Sequence, residues 1–199
     1  MGYHSRTKTP CSHARLVGSC GSGTAQAFSV VNAYTYIIGL GGNIAPRQDY
    51  LRQALAMLEK EGTVLRVSPF YETAPWGVTD QPAFLNAAAL WQSDKTPGDV
   101  LHFLKQTESA LGRLPARRWG PRRIDLDIID YDGPEVHTEN LHIPHAAFSR
   151  RLFVLIPMRD ILPEYQNREG RTIQTLIKQC SDKGSVKPYT GERHVPHAL

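Results

Sequence analysis

The segment RWGPRRIDLDIIDYDG, residues 118–133, places cationic and anionic side chains side by side on one short stretch. Asp125 and Asp127 are two residues apart, so on a β-strand both side chains point to the same face. Like charges this close repel each other, and a divalent cation between them removes that cost. Carboxylates completed by phosphate and water are the ligands that Mg²⁺ prefers. The pair is a candidate metal site, against the simpler alternative of a polar strand face paired with arginines.

Five arginines precede these carboxylates without an acidic residue among them: Arg113, Arg117, Arg118, Arg122 and Arg123. Guanidinium groups suit phosphate oxygens, and Mg²⁺ together with arginines is the usual clamp on a transferring phosphoryl group. A nucleic-acid surface is the rival interpretation, but the run is short and Trp119 is the one aromatic residue within it. The pattern favours a polyphosphate ligand, with Trp119 either stacking on a base or anchoring the loop.

The stretch from Thr73 to Asn86 could bind a planar heterocycle. Trp76, Phe84 and the preceding Phe70 can supply aromatic faces, and Asn86 can pair with a hydrogen-bonding edge. Core packing with one exposed asparagine is the simpler interpretation, and it would be preferred if the arginines and aspartates did not occur in the same sequence.

The stretch HIPHAAFSRR, residues 142–151, contains two histidines that could bind zinc. No third ligand at a convincing spacing follows His142 and His145. A histidine that contacts a nucleotide beside Arg150 and Arg151 agrees better with the arginine-rich loop.

Four strands and two helices are predicted to position these groups. Buried or alternating apolar patterns predict strands over 33–40, 63–73, 83–93 and 124–131. Apolar residues at helical spacing predict helices from Pro46 to about Glu61 and over 96–114. The order is the ferredoxin-like βαββαβ arrangement, an α+β fold in which an antiparallel sheet carries helices on one face. The apolar segment 151–165 and a short helix over 172–180 are predicted as C-terminal additions.

The composition is that of a globular protein with one domain and tails: 199 residues, 41% hydrophobic and 21% charged. The net charge of +4 indicates a phosphate-bearing partner only weakly. The three cysteines form no CxxC pair, which argues against a disulfide framework or zinc finger and favours a reducing compartment. No apolar run has the roughly 18–20 residues of a membrane helix.

The chain divides into three predicted parts. Residues 1–33 are a low-complexity extension, rich in small and polar residues and without an acidic one, which we expect to be disordered or non-native. Residues 34–180 are the predicted catalytic domain, and residues 181–199 are a loose polar tail.

Several segments occur in the order seen in 6-hydroxymethyl-7,8-dihydropterin pyrophosphokinases: YIIGLGGN, SPFYETAPWG, DQPAFLNAAA, ESALGR, RWGPRRIDLDII and IPHAAFSRRLFVLIPMRDILPE. The chain resembles this family over about residues 34–165. The resemblance implies transfer of pyrophosphate from ATP to the hydroxymethyl group of a reduced pterin, with release of AMP, in folate synthesis. We expect two Mg²⁺ ions, these two small-molecule substrates, and a cytoplasmic monomer that binds neither nucleic acid nor membranes.

The resemblance also implies roles for individual residues. Asp125 and Asp127 would hold the two Mg²⁺ ions, and Arg113 and Arg122 would contact the phosphates. The further positions that match the ATP site are Glu108, Trp119, Ile128, His145 and Arg151. The positions that match the pterin pocket are Thr73, Ala74, Trp76, Phe84, Asn86 and Phe153, where Phe84 and Phe153 would enclose the ring.

The rest of the opening segment has a predicted structural role. Leu126 and Ile128 would face the core between the carboxylates, with Ile128 also beside the nucleotide. Asp130 and Asp132 are assigned to the turn that follows the strand and not to the site.

Two other functions stay open at this point. A ferredoxin-like RNA-binding module would need an aromatic pattern on its central strands, which the sequence lacks. A degenerate relative could bind pterin or ATP without turnover, because Pro115 stands where many family members have a second loop arginine.

Overall fold

The computed structural model of the chain describes residues 33–75, 80–113 and 120–191. The predicted extension 1–33 therefore lies outside the described residues except for its last position. In chain order the elements are β1 (Tyr34–Gly42), α1 (Arg47–Lys60), β2 (Thr63–Val67), β3 (Tyr71–Thr73), β4 (Phe84–Ser93), α2 (Pro97–Ala110), β5 (Asp125–Tyr131), β6 (Val136–His137), β7 (His142–Ile143), α3 (Leu152–Ile161), α4 (Ile173–Gln179) and β8 (Val186–Pro188). The predicted α+β order is confirmed.

The main sheet has the order β5-β1-β4-β3-β8, with β2 also beside β4, and every pair is antiparallel. The strand predicted over 63–73 is divided into β2 and β3 by Ser68 and Pro69. Proline has no N–H to donate to a sheet. The Ser68 hydroxyl instead accepts a hydrogen bond from the Ala88 N–H at 3.0 Å, which keeps the break attached to β4.

Helices cover both faces of the sheet, which corrects the expectation of helices on one face. Leu40, Trp91 and Leu126 belong to the core beneath α1 and α2. The opposite face has its own apolar cluster, in which Ile37 and Ile129 of the strands lie with residues of α3 and α4. The segments predicted as additions thus form a third layer, because the central strands are apolar on both sides.

The second predicted helix begins at a clear capping signal. α2 follows Thr96, whose hydroxyl accepts the Asp99 N–H at 3.3 Å, and Pro97 occupies its first position. After α2, Gly112 has a φ of 79°, a conformation that favours glycine. In the described residues no helix has the length and apolar character needed to cross a membrane.

Residues 181–191, which the sequence predicts as the start of a loose polar tail, contain the strand β8. β8 pairs with β3, placing Val186 opposite Thr73 and Lys187 opposite Glu72. The Tyr189 N–H also donates to the Phe70 carbonyl at 2.8 Å. The sheet therefore gains an edge strand that the polar sequence did not indicate.

Asp130 lies within β5 and not in the following turn, which corrects its sequence assignment. Its side chain is buried and accepts hydrogen bonds from the Tyr165 hydroxyl at 2.6 Å and from Arg168 Nη2 at 3.0 Å. Burial and the bond to Asp130 raise the pKa of the Tyr165 phenol, so this hydroxyl keeps its proton and donates it. These two hydrogen bonds connect the third layer to β5.

We expect Asp130→Ala to lower the free energy of unfolding by about 2–3 kcal/mol, because the Tyr165 hydroxyl would be left buried without its acceptor. Asp132→Ala is the matched control. It removes one exposed hydrogen bond, which the Thr35 N–H donates to Asp132, and it should lower the free energy of unfolding by about 1 kcal/mol or less. Guanidinium unfolding followed by circular dichroism measures both. Equal losses in the two variants would contradict the assigned role of Asp130.

Candidate active site

The trough is the row of site residues that runs across β5, β1 and β4, on the face where α3 and α4 also pack. Gly41 of β1 pairs with both Asp125 of β5 and Asn86 of β4. One step along, Gly39 pairs with both Asp127 and Ala88. The glycines add no side chain of their own between the carboxylates and Asn86, and the Asn86 amide and the Ile129 side chain lie close above them. A Cβ on Gly41 would lie 2.8 Å from Asn86 Oδ1, so a larger residue there would displace the Asn86 amide.

The two aspartates share one face of β5, as their spacing predicts. Leu126 and Ile128 belong to the core on the other face, whereas Ile129 belongs to the same face as the aspartates. The side chain of Ile128 therefore faces away from the carboxylates.

What Ile128 can offer a ligand is its backbone. The Leu126 N–H points away from β1, because it donates to Glu108 Oε1 at 2.7 Å. By strand alternation the backbone groups of Ile128 point to the same outer edge of the sheet. β5 is at the edge of the described sheet, so these groups face away from β1.

Asp125 is neutralised by two arginines. Arg113 Nη1 lies 2.7 Å from Asp125 Oδ1, and Arg122 Nη1 lies 2.6 Å from Asp125 Oδ2. Each carboxylate oxygen thus faces its own guanidinium. The simpler interpretation from the sequence, that of Asp–Arg pairs, therefore applies to Asp125.

Asp127 differs, because within the described ranges it forms no ion pair. Burial, followed by the negative charge of Asp125, raises the pKa of the Asp127 carboxyl. The positive charges of His145, Lys105 and Arg151 act in the opposite direction. A half-buried carboxylate beside a second one and without its own cation is suited to a divalent metal ion.

Arg122 is held in place by Asn43, a residue that the sequence reading missed. The Arg122 N–H donates to Asn43 Oδ1 at 2.8 Å, and the Asn43 N–H donates to the Arg122 carbonyl at 2.9 Å. Asn43 Nδ2 also donates to the Pro82 carbonyl at 3.1 Å, just before β4. Asn43 is 2% exposed, so its bonds have little competition from water. The signal was present in the sequence as an asparagine directly after the Gly41–Gly42 end of a buried strand.

Glu108 is placed behind Arg113 and is not open to a ligand. It is 2% exposed, and its Oε1 accepts from the Leu126 N–H and from Lys105 Nζ at 3.0 Å and also contacts Arg113 Nη1. Burial raises the pKa of Glu108, and these partners oppose the shift. Its geometry supports a role in positioning Arg113 and covering the edge of β5.

His145 and Arg151 lie on the Asp127 side of the trough. The His145 N–H donates to the Ile129 carbonyl at 2.9 Å, and His145 Nδ1 accepts from the Ala147 N–H at 3.2 Å. Burial lowers the pKa of His145, and the charge of Asp127 opposes that shift. Burial also lowers the pKa of Arg151, whose guanidinium carbon lies 5.7 Å from the ring centre of Phe153.

The two histidines considered as zinc ligands do not form a metal site. His142 Nδ1 faces His137 Nδ1 at 3.5 Å on the exposed β6–β7 hairpin. Across the ranges that the structure covers, no three His, Cys, Asp or Glu side chains come together as a metal cluster.

The residues predicted for a heterocycle meet at the other end of the trough. Asn86 Nδ2 donates to Thr73 Oγ1 at 2.7 Å, and both side chains are buried. Phe84 lies two residues before Asn86 on the same face, 6.0 Å from the Arg122 guanidinium carbon. Ala74 follows β3, and Phe153 is in the first turn of α3. Trp76 and Trp119 lie outside the described residues.

Comparisons with known proteins agree with this geometry. Residues 37–163 match the family model for 7,8-dihydro-6-hydroxymethylpterin-pyrophosphokinase. The 2-amino-4-hydroxy-6-hydroxymethyldihydropteridine pyrophosphokinase of Bacillus subtilis (strain 168) is 41% identical over 156 residues, covering 76% of this chain and 93% of the relative. The protein of the same name from Methylorubrum extorquens is 42% identical over 149 residues, covering 74% of this chain and 94% of the relative.

Among solved structures, the Plasmodium falciparum HPPK-DHPS protein with pteroate superposes with a TM-score of 0.60 at 15% identity. The match covers 73% of this chain and 44% of that one, so the chain spans less than half of the solved protein. At this identity the likeness supports the ferredoxin-like fold alone. The family match and the two bacterial relatives extend over the whole trough, and on their strength the chain belongs to the 7,8-dihydro-6-hydroxymethylpterin-pyrophosphokinase family.

Proposed function

We propose that the chain transfers pyrophosphate from ATP to 6-hydroxymethyl-7,8-dihydropterin, giving the pterin pyrophosphate and AMP, in folate biosynthesis. The row Asp125–Gly41–Asn86 carries this proposal. It spans two strand spacings, about 10 Å. A pterin bound at Asn86 would thus extend its hydroxymethyl group across β1 toward the carboxylates.

Asp125 and Asp127 are the residues that would hold Mg²⁺. The chemistry of the pair fits, because two carboxylates on an open face leave the remaining positions around a hard cation to phosphate and water. The metal, when bound, neutralises charge on the ATP phosphates and polarises them. Two ions, as the family resemblance implies, would share the charge of the polyphosphate.

The arginines would exchange partners when substrate binds. Arg113 and Arg122 are both paired with Asp125 in the ligand-free chain. Once a cation neutralises Asp125, their guanidinium groups can turn to phosphate oxygens, which they bind bidentately. Arg151 and His145 would approach the phosphates from the Asp127 side. The ion pairs of the free chain therefore hold the phosphate ligands ready without leaving charges unpaired.

The pterin would be recognised by shape and by Asn86. Thr73 fixes the orientation of the Asn86 amide, and a fixed amide can pair with the donor and acceptor edge of the ring. Phe84 and Phe153 would supply the two aromatic faces. Transfer of a phosphoryl-type group depends mainly on positioning and electrostatics, so we assign no general base.

The RNA-binding alternative is not favoured by the trough. Such modules stack bases on aromatic residues of the central strands. Next to the carboxylates, the residues of β1 and β4 on this face are instead Gly39, Gly41, Asn86 and Ala88. Phe84, at the start of β4, is the one aromatic residue of these two described strands on this face, and Tyr36 and Trp91 are buried on the other face. A cytoplasmic monomer remains a prediction.

The function is tested by incubating the protein with ATP, Mg²⁺ and 6-hydroxymethyl-7,8-dihydropterin and separating the nucleotides. We expect AMP and pterin pyrophosphate in equal amounts, and no AMP after chelation of the metal with EDTA. Formation of ADP would overturn the pyrophosphoryl assignment. Binding of both substrates without turnover would support the degenerate alternative.

Asp127→Ala and Asp127→Asn should each reduce AMP formation by about 10²–10³-fold or more, because the metal-bound phosphates lose a ligand. Asp132→Asn is the control, since Asp132 lies beyond the end of β5. Residual activity near that of the wild type in either Asp127 variant would contradict the metal assignment.

The same Asp127→Asn protein should not be less stable than the wild type when metal is absent. Burial raises the pKa of Asp127, so folding favours the protonated form, and the metal-free chain loses this stabilisation as the pH rises through the raised pKa. Asparagine resembles the protonated form at every pH. Thermal unfolding at neutral pH in EDTA measures the difference, and a large loss of stability would argue for a structural role.

Asn86→Ala should raise KM for the pterin by about tenfold or more while KM for ATP changes little, because the ring edge loses its partner. Thr73→Val should have a smaller effect in the same direction, since it leaves the amide but removes the group that orients it. Steady-state kinetics with each substrate varied in turn separates the two constants. Equal changes in KM for the pterin and KM for ATP would refute the assignment of Asn86 to the pterin.

A further inference from the structure

A cavity of about 100 Å³ lies next to the residues assigned to the pterin. One side consists of Thr73, Ala74 and Pro75 at the end of β3, together with Phe153 of α3. The other side is formed by the C-terminal segment: Asp182, Gly184, Ser185 and Val186. The family match ends at residue 163, so this second side comes from a part of the chain to which no role has been given.

The C-terminal segment is fixed against the pocket by sheet pairing. Val186 lies opposite Thr73 in the β3–β8 register, and residues opposite each other in a sheet point to the same face. Val186 therefore stands on the trough side. Lys187, the next residue, points to the opposite face and does not line the cavity.

Asp182 connects this segment to α3. Its Oδ2 accepts from the Leu152 N–H at 3.0 Å, and its Oδ1 accepts from the Gly184 N–H at 2.7 Å. Leu152 is the first residue of α3 and stands between Arg151 and Phe153. Carboxylates stabilise the first turn of a helix because its N–H groups lack partners within the helix. One carboxylate thus fixes both the turn that contains Phe153 and the wall facing it.

We propose that residues 182–186 form one wall of the pterin-binding cavity and that Asp182 is a positioning residue for Phe153. The inference rests on the proposed function, since it assigns the cavity to the reduced pterin. The wall helps to set the affinity for the heterocycle and leaves the ATP side of the trough unaffected.

The wall is tested by placing the same large side chain on either face of β8. Val186→Trp puts an indole into the cavity, and Lys187→Trp puts it on the opposite face as the matched control. Isothermal titration calorimetry gives the affinity for 6-hydroxymethylpterin in the presence of Mg²⁺ and a non-hydrolysable ATP analogue. We expect binding about tenfold weaker for Val186→Trp and within about twofold of the wild type for Lys187→Trp. Wild-type affinity in Val186→Trp, or equal losses in both variants, would overturn the inference.

The positioning role is tested at Asp182. Asp182→Ala removes both acceptors, and Asp182→Asn keeps one oxygen for the Gly184 or Leu152 N–H. We expect KM for the pterin to rise about five- to tenfold in Asp182→Ala and less in Asp182→Asn, with KM for ATP within about twofold. A purely structural carboxylate would lower thermal stability and leave the ratio of the two KM values unchanged, which would overturn the role.

Direct binding keeps this inference separate from the proposed activity. A wild-type protein that binds the pterin but releases no AMP would defeat the proposed function, and the tryptophan variants would still test the wall. A wild-type protein that binds the ATP analogue but no pterin would overturn both the proposed function and the inference about the C-terminal wall.

Discussion

The absence of side chains at two positions of β1 is the constraint on which the site depends. Asn86 Oδ1 occupies the space where a Cβ of Gly41 would lie, and Gly39 lies directly beneath Ile129. A larger residue at either position would push the Asn86 amide or the Ile129 side chain out of place. At Gly42 the constraint is stricter, because an added Cβ would lie 2.2 Å from the Arg123 carbonyl. The arginine loop can approach the sheet, and Asn43 can bond to Arg122, only because Gly42 has no side chain.

Charge balance explains why arginines and aspartates alternate in the opening segment. The charge of Asp125 is compensated by its two arginines, whereas Asp127 carries a charge that burial disfavours. The Asp125 carboxylate therefore has cationic partners, and the Asp127 carboxylate forms no ion pair within the described residues. A carboxylate whose charge is left uncompensated lowers stability, and such features are typical of functional sites, where a bound ligand compensates the charge.

The sequence predicted much of this arrangement because strand alternation and helix periodicity are local properties. The shared face of Asp125 and Asp127 follows from a spacing of two, and α2 follows from Thr96 and Pro97. Residues joined by distant pairing could not be predicted. Nothing local to Asp182 or Val186 shows that they return to β3, and nothing local to Asp130 shows that Tyr165 will donate to it. The position of Glu108 behind Arg113 likewise depends on how α2 packs on β5.

β5 is an edge strand, and edge strands are usually the most mobile part of a sheet and a place where other chains can attach. Here the strand is fixed near both ends: Glu108 accepts from the Leu126 N–H, and Asp130 is bonded to Tyr165 and Arg168. The two carboxylates lie at or near the first of these points, so their separation changes little with thermal motion. The entropy of ordering the metal ligands is thereby lost during folding and not at each round of substrate binding. In hydrogen exchange, β5 should consequently resemble a central strand more than an edge.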